Sequence, residues 1–257
     1  MRRKPAGVVA GVLVAVAALV GALLGVPGAG AATPGYYPPN LTHLGAARQA
    51  IVVTSTSWST SYATLRTYDK GADGIWRAKW GPLPARIGTR GFSPAAQRLQ
   101  NTYTTPAGTF TLTHAFGAYS DPGTAMPYRK SDSNDWWPYD PRDPRTYNVY
   151  QYSRVARAAW RTTWAERLWS YYSQYRYAVV VNYNMPSGLY SSGGQWFARY
   201  PADTRKGGGI FLHVNGTGGT AGCVSLEYTN MRAVLRWLDP AKAPRIVMGP
   251  ASVITSM

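Results

Sequence analysis

From residue 48 onward the chain is written in short β-branched and aromatic runs, each closed by a turn signal. That alternation restricts it to a mainly β fold. Residues 49–54 (QAIVVT), 63–68 (ATLRTY) and 75–80 (IWRAKW) are separated by a Ser-rich stretch and by Lys70-Gly71-Ala72-Asp73-Gly74. Residues 105–112 (TPAGTFTL) feed a turn into an alternating strand. Further strands are predicted at 177–183 (YAVVVNY), 207–214 (GGGIFLHV) and 245–249 (RIVMG). Two stretches change period. Ala156, Trp160, Trp164, Leu168 and Tyr171 fall on one face of a 3.6-residue repeat, so residues 154–172 are predicted as a helix that packs on the core. Met231, Val234, Leu235 and Leu238 predict a second helix, stopped by Asp239-Pro240. Residues 121–147, rich in Pro, Asp, Trp and Tyr, read as a long loop.

The N-terminus follows other rules. Arg2, Arg3 and Lys4 precede an apolar and glycine run over residues 6–26, then Ala29-Gly30-Ala31. A basic start, an apolar middle and an A-x-A site predict a secretory signal peptide over 1–31. The alternative is an uncleaved membrane anchor, since the run is long enough to span a bilayer. A Pro-rich linker is expected over 32–47 and one domain over 48–252. Either leader places the domain outside the membrane, at the cell wall or beyond. The formal charge is +16, and losing the three leader bases leaves +13. For an exported chain the expected polyanions are cell-wall polymers rather than nucleic acid. A generally solvated basic surface is the plainer alternative.

Chemistry is limited by the inventory. One cysteine excludes an internal disulfide, a Cys-based zinc site and an iron–sulfur cluster. Three histidines (His43, His114, His213), with no HExxH or CxxC, give no expectation of a metal or cofactor. The informative stretch is residues 210–224 (IFLHVNGTGGTAGCV). His213 ends a predicted strand, a Gly/Thr turn follows, and Cys223 comes ten residues later. A reversal in that turn would set the two side by side. An imidazole promotes the thiolate that makes cysteine a nucleophile. The consecutive amides of Ala221, Gly222 and Cys223 could stabilise a tetrahedral oxyanion. The helix after Cys223 could add a positive dipole end. The competing reading is an inert buried cysteine. His114 is expected to be structural or to line the same cleft, and His43 to be uninvolved. No His follows Cys223, against the papain-like and NlpC/P60 order. The caspase, G-x-S-x-G and S-x-x-K signatures are missing.

Residues 210–226 (IFLHVNGTGGTAGCVSL) resemble the signature of the YkuD-type L,D-transpeptidases, in which a His-containing strand precedes an [S/T]-x-G-C segment. Residues 105–112, Phe116-Gly117, Asp135-Trp136-Trp137, Tyr147-Asn148 and 177–184 resemble further landmarks of one branch. The resemblance implies a mixed β-sandwich, mainly β with α additions, a helix flanking the nucleophile and a helical or loop insertion. It implies Cys223 as nucleophile and His213 as general base and acid. Thr220, Ala221, Gly222, Ser225 and Asn215 are the expected oxyanion and substrate contacts. Cys223 would be acylated by a tetrapeptide stem of peptidoglycan with release of D-Ala. An amine of a second stem would then take the acyl group, giving a 3→3 cross-link without cofactor, and carbapenem-type β-lactams would acylate the same thiol. The chain departs from the family's S-H-G-C-[IV]-R at Ala221 and Ser225. The usual Arg is gone, and Arg199, Arg205 or Arg129 are candidates to replace it. The loop over 121–147 and the Trp-rich helix would form a lid. Two alternatives stay open: an L,D-carboxypeptidase using the same Cys–His pair with water, and a non-enzymatic wall-binding protein. No oligomeric state is implied.

Overall fold

A computed structural model describes residues 36–257, so the expected signal peptide and the start of the expected linker lie outside the described residues. The strands are β1 (Gln49–Ser55), β2 (Tyr62–Lys70), β3 (Trp76–Arg86), β4 (Phe92–Pro94), β5 (Thr105–Gly117), β6 (Tyr128–Lys130) and β7 (Trp136–Pro138). They continue as β8 (Ala165–Arg167), β9 (Ala178–Val181), β10 (Ser187–Ser192), β11 (Gln195–Tyr200), β12 (Phe211–Val214), β13 (Val224–Leu226) and β14 (Arg245–Pro250). One α-helix, α1 (Tyr228–Trp237), follows β13 among the described residues. The fold is mainly β, as expected.

The main sheet runs β14-β1-β2-β3-β13-β12-β9-β5, and β14 also pairs β5, so the hydrogen-bonded circuit closes. Closure leaves no open edge in that circuit. Strand alternation then sorts side chains into an interior and two outer layers. Ile51, Val53, Leu65, Val179, Val181, Leu212, Val214, Val224 and Leu226 point inward with Met231, Val234 and Leu235 of α1. Ala50, Val52 and Val247 point outward under Leu41, Leu44 and Ala47. Ala178, Val180, Phe211 and Cys223 point outward under Trp137, Tyr150, Leu168 and Tyr175. β1 and β9 are buried on both faces, which is why they read as unbroken apolar runs. Glu227 caps α1 by accepting from the amides of Thr229 and Asn230.

Three expectations change. Residues 154–172 form no α-helix, only short 3₁₀ turns and β8. Tertiary partners override the 3.6 period. Asp140 accepts from the Arg161 amide at 2.8 Å and from its guanidinium at 2.8 and 2.7 Å. β8 pairs with β7, placing Glu166 opposite Trp137. Of the predicted stripe only Trp160 and Leu168 are buried. Secondly, the described part of the expected linker is packed rather than loose: Leu41 and Leu44 are buried and the Tyr37 hydroxyl donates to Trp76 O at 2.7 Å. Thirdly, the loop over 121–147 contains β6 and β7 and is pinned by buried Asp135, Asp140 and Asp143. Asp135 accepts from Arg129, and Asp143 from Thr146.

Candidate active site

β12 and β13 run parallel, so the loop between them carries the chain back along the sheet instead of turning it as a hairpin. The register pairs Leu212 with Val224 and His213 with Ser225. His213 and Cys223 therefore share the outer face two register positions apart, each one step from the Leu212–Val224 pair. They are diagonal neighbours, not the side-by-side pair expected. Cys223 Sγ accepts from the Phe211 amide at 3.4 Å and donates to Gly209 O at 3.3 Å. No hydrogen bond joins Cys223 to His213 among the described residues. Catalytic contacts of this kind are often loose before substrate binds.

His213 is only 6% exposed, and its Nδ1 lies 2.8 Å from Val214 O. A carbonyl can only accept, so Nδ1 carries the proton and Nε2 is left as the basic nitrogen. The ring packs edge-on against Tyr175, 5.4 Å between centroids. Burial lowers the His213 pKa to about 4, opposed by the Val214 and Gln174 carbonyls. Burial also raises the Cys223 thiol to about 12; Glu166 pushes the same way, and the Phe211 amide and Arg98 push against. The resting pair is thus neutral imidazole and thiol, not imidazolium and thiolate.

Two cavities meet at Cys223. One, of about 200 Å³, is lined by Arg98, Gln100, Tyr139, Gly208 and Gly222 among others. The other, of about 270 Å³, is lined by Tyr171, Gln174, Tyr175, His213 and the loop from Gly216 to Thr220. Cys223, Ala221 and Glu166 belong to both walls. Glycine is required where the first cavity meets the backbone. Gly222 has φ +148, and a Cβ there would lie 2.8 Å from Arg98 Nη2 and 2.9 Å from Thr104 O.

The remaining sequence candidates separate. Thr220 Oγ1 donates to Cys223 O at 2.6 Å and accepts from the Gly222 amide at 3.1 Å, so it locks the turn and occupies that amide. The amides of Ala221 and Cys223 have no hydrogen-bond partner among the described residues. Ser225 is fully buried, with its Oγ unpartnered, and lines neither cavity. Asn215 lines a separate depression with Tyr62 and Arg86. The start of α1 is taken by Glu227 and separated from Cys223 by β13, so it offers the thiol no free dipole end. Arg199, Arg205 and Arg129 do not line either cavity: Arg205 pairs with Asp203, Arg129 with Asp135, and Arg199 lies over Tyr190. His114 packs against Trp137 and Tyr150 outside both cavities, and burial lowers its pKa to about 4. His43 is exposed.

Two residues in the cavity walls were not singled out from the sequence. Arg98 is 4% exposed, with Nε donating to Thr104 O at 2.6 Å and Nη1 to Lys206 O at 2.7 Å. Glu166 accepts from the Tyr175 hydroxyl at 2.8 Å. Neither sits in a motif. The only available signal for Glu166 was scarcity, since the chain has just two glutamates, and the false helical period concealed it. Among the described residues no group of three His, Cys, Asp or Glu is arranged to hold a metal.

The chain matches the family model of the L,D-transpeptidase catalytic domain (YkuD) over residues 51–248. No curated protein and no solved structure matches it. The match spans the closed circuit of strands from within β1 to within β14 and includes the Cys223 site, and the chain belongs to that family.

Proposed function

We propose, with membership of the L,D-transpeptidase family as the premise, that this is an exported cysteine acyltransferase of peptidoglycan. The reading is carried by one observation: Cys223 stands where two cavities meet, with His213 in the wall of one. A transfer between two large substrates needs two approaches to one thiol. An inert core cysteine needs none.

The thiol proton leaves Gly209 O for Nε2 of His213, and the thiolate attacks the carbonyl carbon of the third residue of a tetrapeptide stem. The amides of Ala221 and Cys223 stand free for the resulting oxyanion. The C–N bond to D-Ala breaks, the imidazolium protonates the departing amine, and a thioester remains. The side-chain amine of a second stem attacks that thioester and the C–S bond breaks. Its proton returns through His213 to sulfur, and the product is a 3→3 cross-link. Arg98, rather than Arg129, Arg199 or Arg205, is the cation close enough to favour the thiolate. Export rests on the leader motif, and the net positive charge favours an anionic wall.

Incubating the domain with purified stems and separating products by mass tests this. Free D-Ala with a cross-linked dimer is the expected result. Cys223→Ala should abolish both, and His213→Ala should reduce turnover at least about 100-fold. Tripeptide without dimer at high acceptor concentration would replace transfer with hydrolysis.

A further inference from the structure

Glu166 is an anomaly in this site. The chain carries 27 bases and 11 acids, yet this acid has no basic partner among the described residues. It sits in both cavity walls with the nucleophile. Its contacts are neutral: the Tyr175 hydroxyl donates to Oε2 at 2.8 Å, and Tyr139 lines the first cavity with it. Tyr139 is itself fixed, because Gly209 leaves room for its ring: a Cβ on Gly209 would lie 2.6 Å from Tyr139 Cε1. The same Gly209 carbonyl accepts the Cys223 thiol proton. The carboxyl thus shares both cavity walls with the sulfur and is anchored by Tyr175.

A carboxylate there works against the chemistry. Its charge opposes ionisation of Cys223, and burial raises its own pKa. A half-buried acid without a cationic partner is disfavoured as a charge until a cation completes it. We infer that Glu166, held by Tyr175, is a binding site for a primary ammonium group, which it places beside Cys223. The ligand class is the side-chain ammonium of a diamino acid, an identification that rests on the peptidoglycan reading above. A bound ammonium neutralises the carboxylate and relieves its opposition to the thiolate, so the nucleophile is favoured only when the correct residue is in place. Glu166 is a specificity and positioning residue in this scheme; His213 remains the base.

The site is tested by binding, independently of turnover. The probes are Nα-acetyl-lysine amide and the same molecule acetylated on its side chain, titrated calorimetrically into the full domain. The ammonium probe should bind wild type at least about tenfold tighter than the acetylated probe, and Glu166→Gln should erase the difference. Glu166→Gln should also speed alkylation of Cys223 by neutral iodoacetamide several-fold without probe, which a merely structural carboxyl would not do. Equal binding of both probes to wild type would overturn the site without reference to any variant, and so would a preference that survives Glu166→Gln. Discrimination between probes without any reaction of stems would leave the site standing and remove the peptidoglycan reading. Stems that react while both probes bind alike would do the reverse. With reacting stems, acetylating the donor's side-chain amine separates the sources. A rise in KM for D-Ala release places the donor's ammonium at Glu166, and an effect confined to transfer places the acceptor's.

Discussion

The site's reactivity is decided by single residues around sulfur. Gly222 is the clearest case, because its backbone conformation and its surroundings both forbid a side chain. φ is +148, and Arg98, against which a Cβ would press, is pinned by two backbone carbonyls and cannot yield. Gly222→Ala is therefore expected to cost about 2 kcal/mol or more in stability, from strain and overpacking. It should lower acyl transfer further, by displacing the neighbouring Cys223. Gly218, with nothing within 4 Å of an added Cβ, is the control, and Gly218→Ala should leave stability within about 0.5 kcal/mol. Denaturant midpoints with turnover on the same preparations check both. A Gly222→Ala protein as stable and active as wild type would remove the close-approach argument.

At the level of elements, the cover over Cys223 is held by pairing rather than by helix. β7 and β8 form its short sheet, and Asp140 ties the incoming chain through three hydrogen bonds from Arg161. Asp140→Ala should cost about 1–3 kcal/mol locally, since it strands a part-buried amide and frees the guanidinium. Proteolysis near residues 154–164 and alkylation of Cys223 should then both accelerate. Unchanged rates for both would mean the cover does not depend on this tie. The same cover marks the limit of what the sequence reveals. β1 and β9 are legible because both faces are buried and every position is apolar. α1 is legible because Met231, Val234 and Leu235 repeat at helical spacing and Pro240 ends it. Residues 154–172 mislead because Trp160 and Leu168 are buried by partners far away in sequence, Trp136 among them, and no local period reports that. The Cys–His segment was visible as a motif. The parallel register of β12 and β13, which makes His213 and Cys223 diagonal, depends on how β3 and β9 flank them and has no local signature.

Across the whole molecule, burial of ionisable groups ties stability to pH. His213 has its pKa lowered to about 4 in the fold, against about 6.5 when unfolded, and His114 shifts the same way. For each, the unfolded chain binds a proton first. The stability each neutral ring contributes is full above about pH 6.5 and drains away as pH falls toward 4. For His213 this amounts to about 3 kcal/mol at most. Asp73, Asp140 and Asp203, held near 2 chiefly by hydrogen bonds from Arg77, Arg161 and Arg205, lose their contribution only below about pH 4. Cys223 has the opposite sign: its pKa is raised to about 12, so its contribution is full below about 8.5 and is lost as pH climbs toward 12. The unfolding free energy should therefore form a plateau between about pH 6.5 and 8.5 and fall on both sides, with histidines leading the acid arm. Urea midpoints across pH 4 to 10 measure this. Replacing His114 by Gln should flatten part of the slope between 6.5 and 4 and leave the alkaline arm unchanged. An acid arm that begins only below pH 4 would show that the two rings are not buried as neutral groups. The neutral resting state of His213 and Cys223 would then have to be given up.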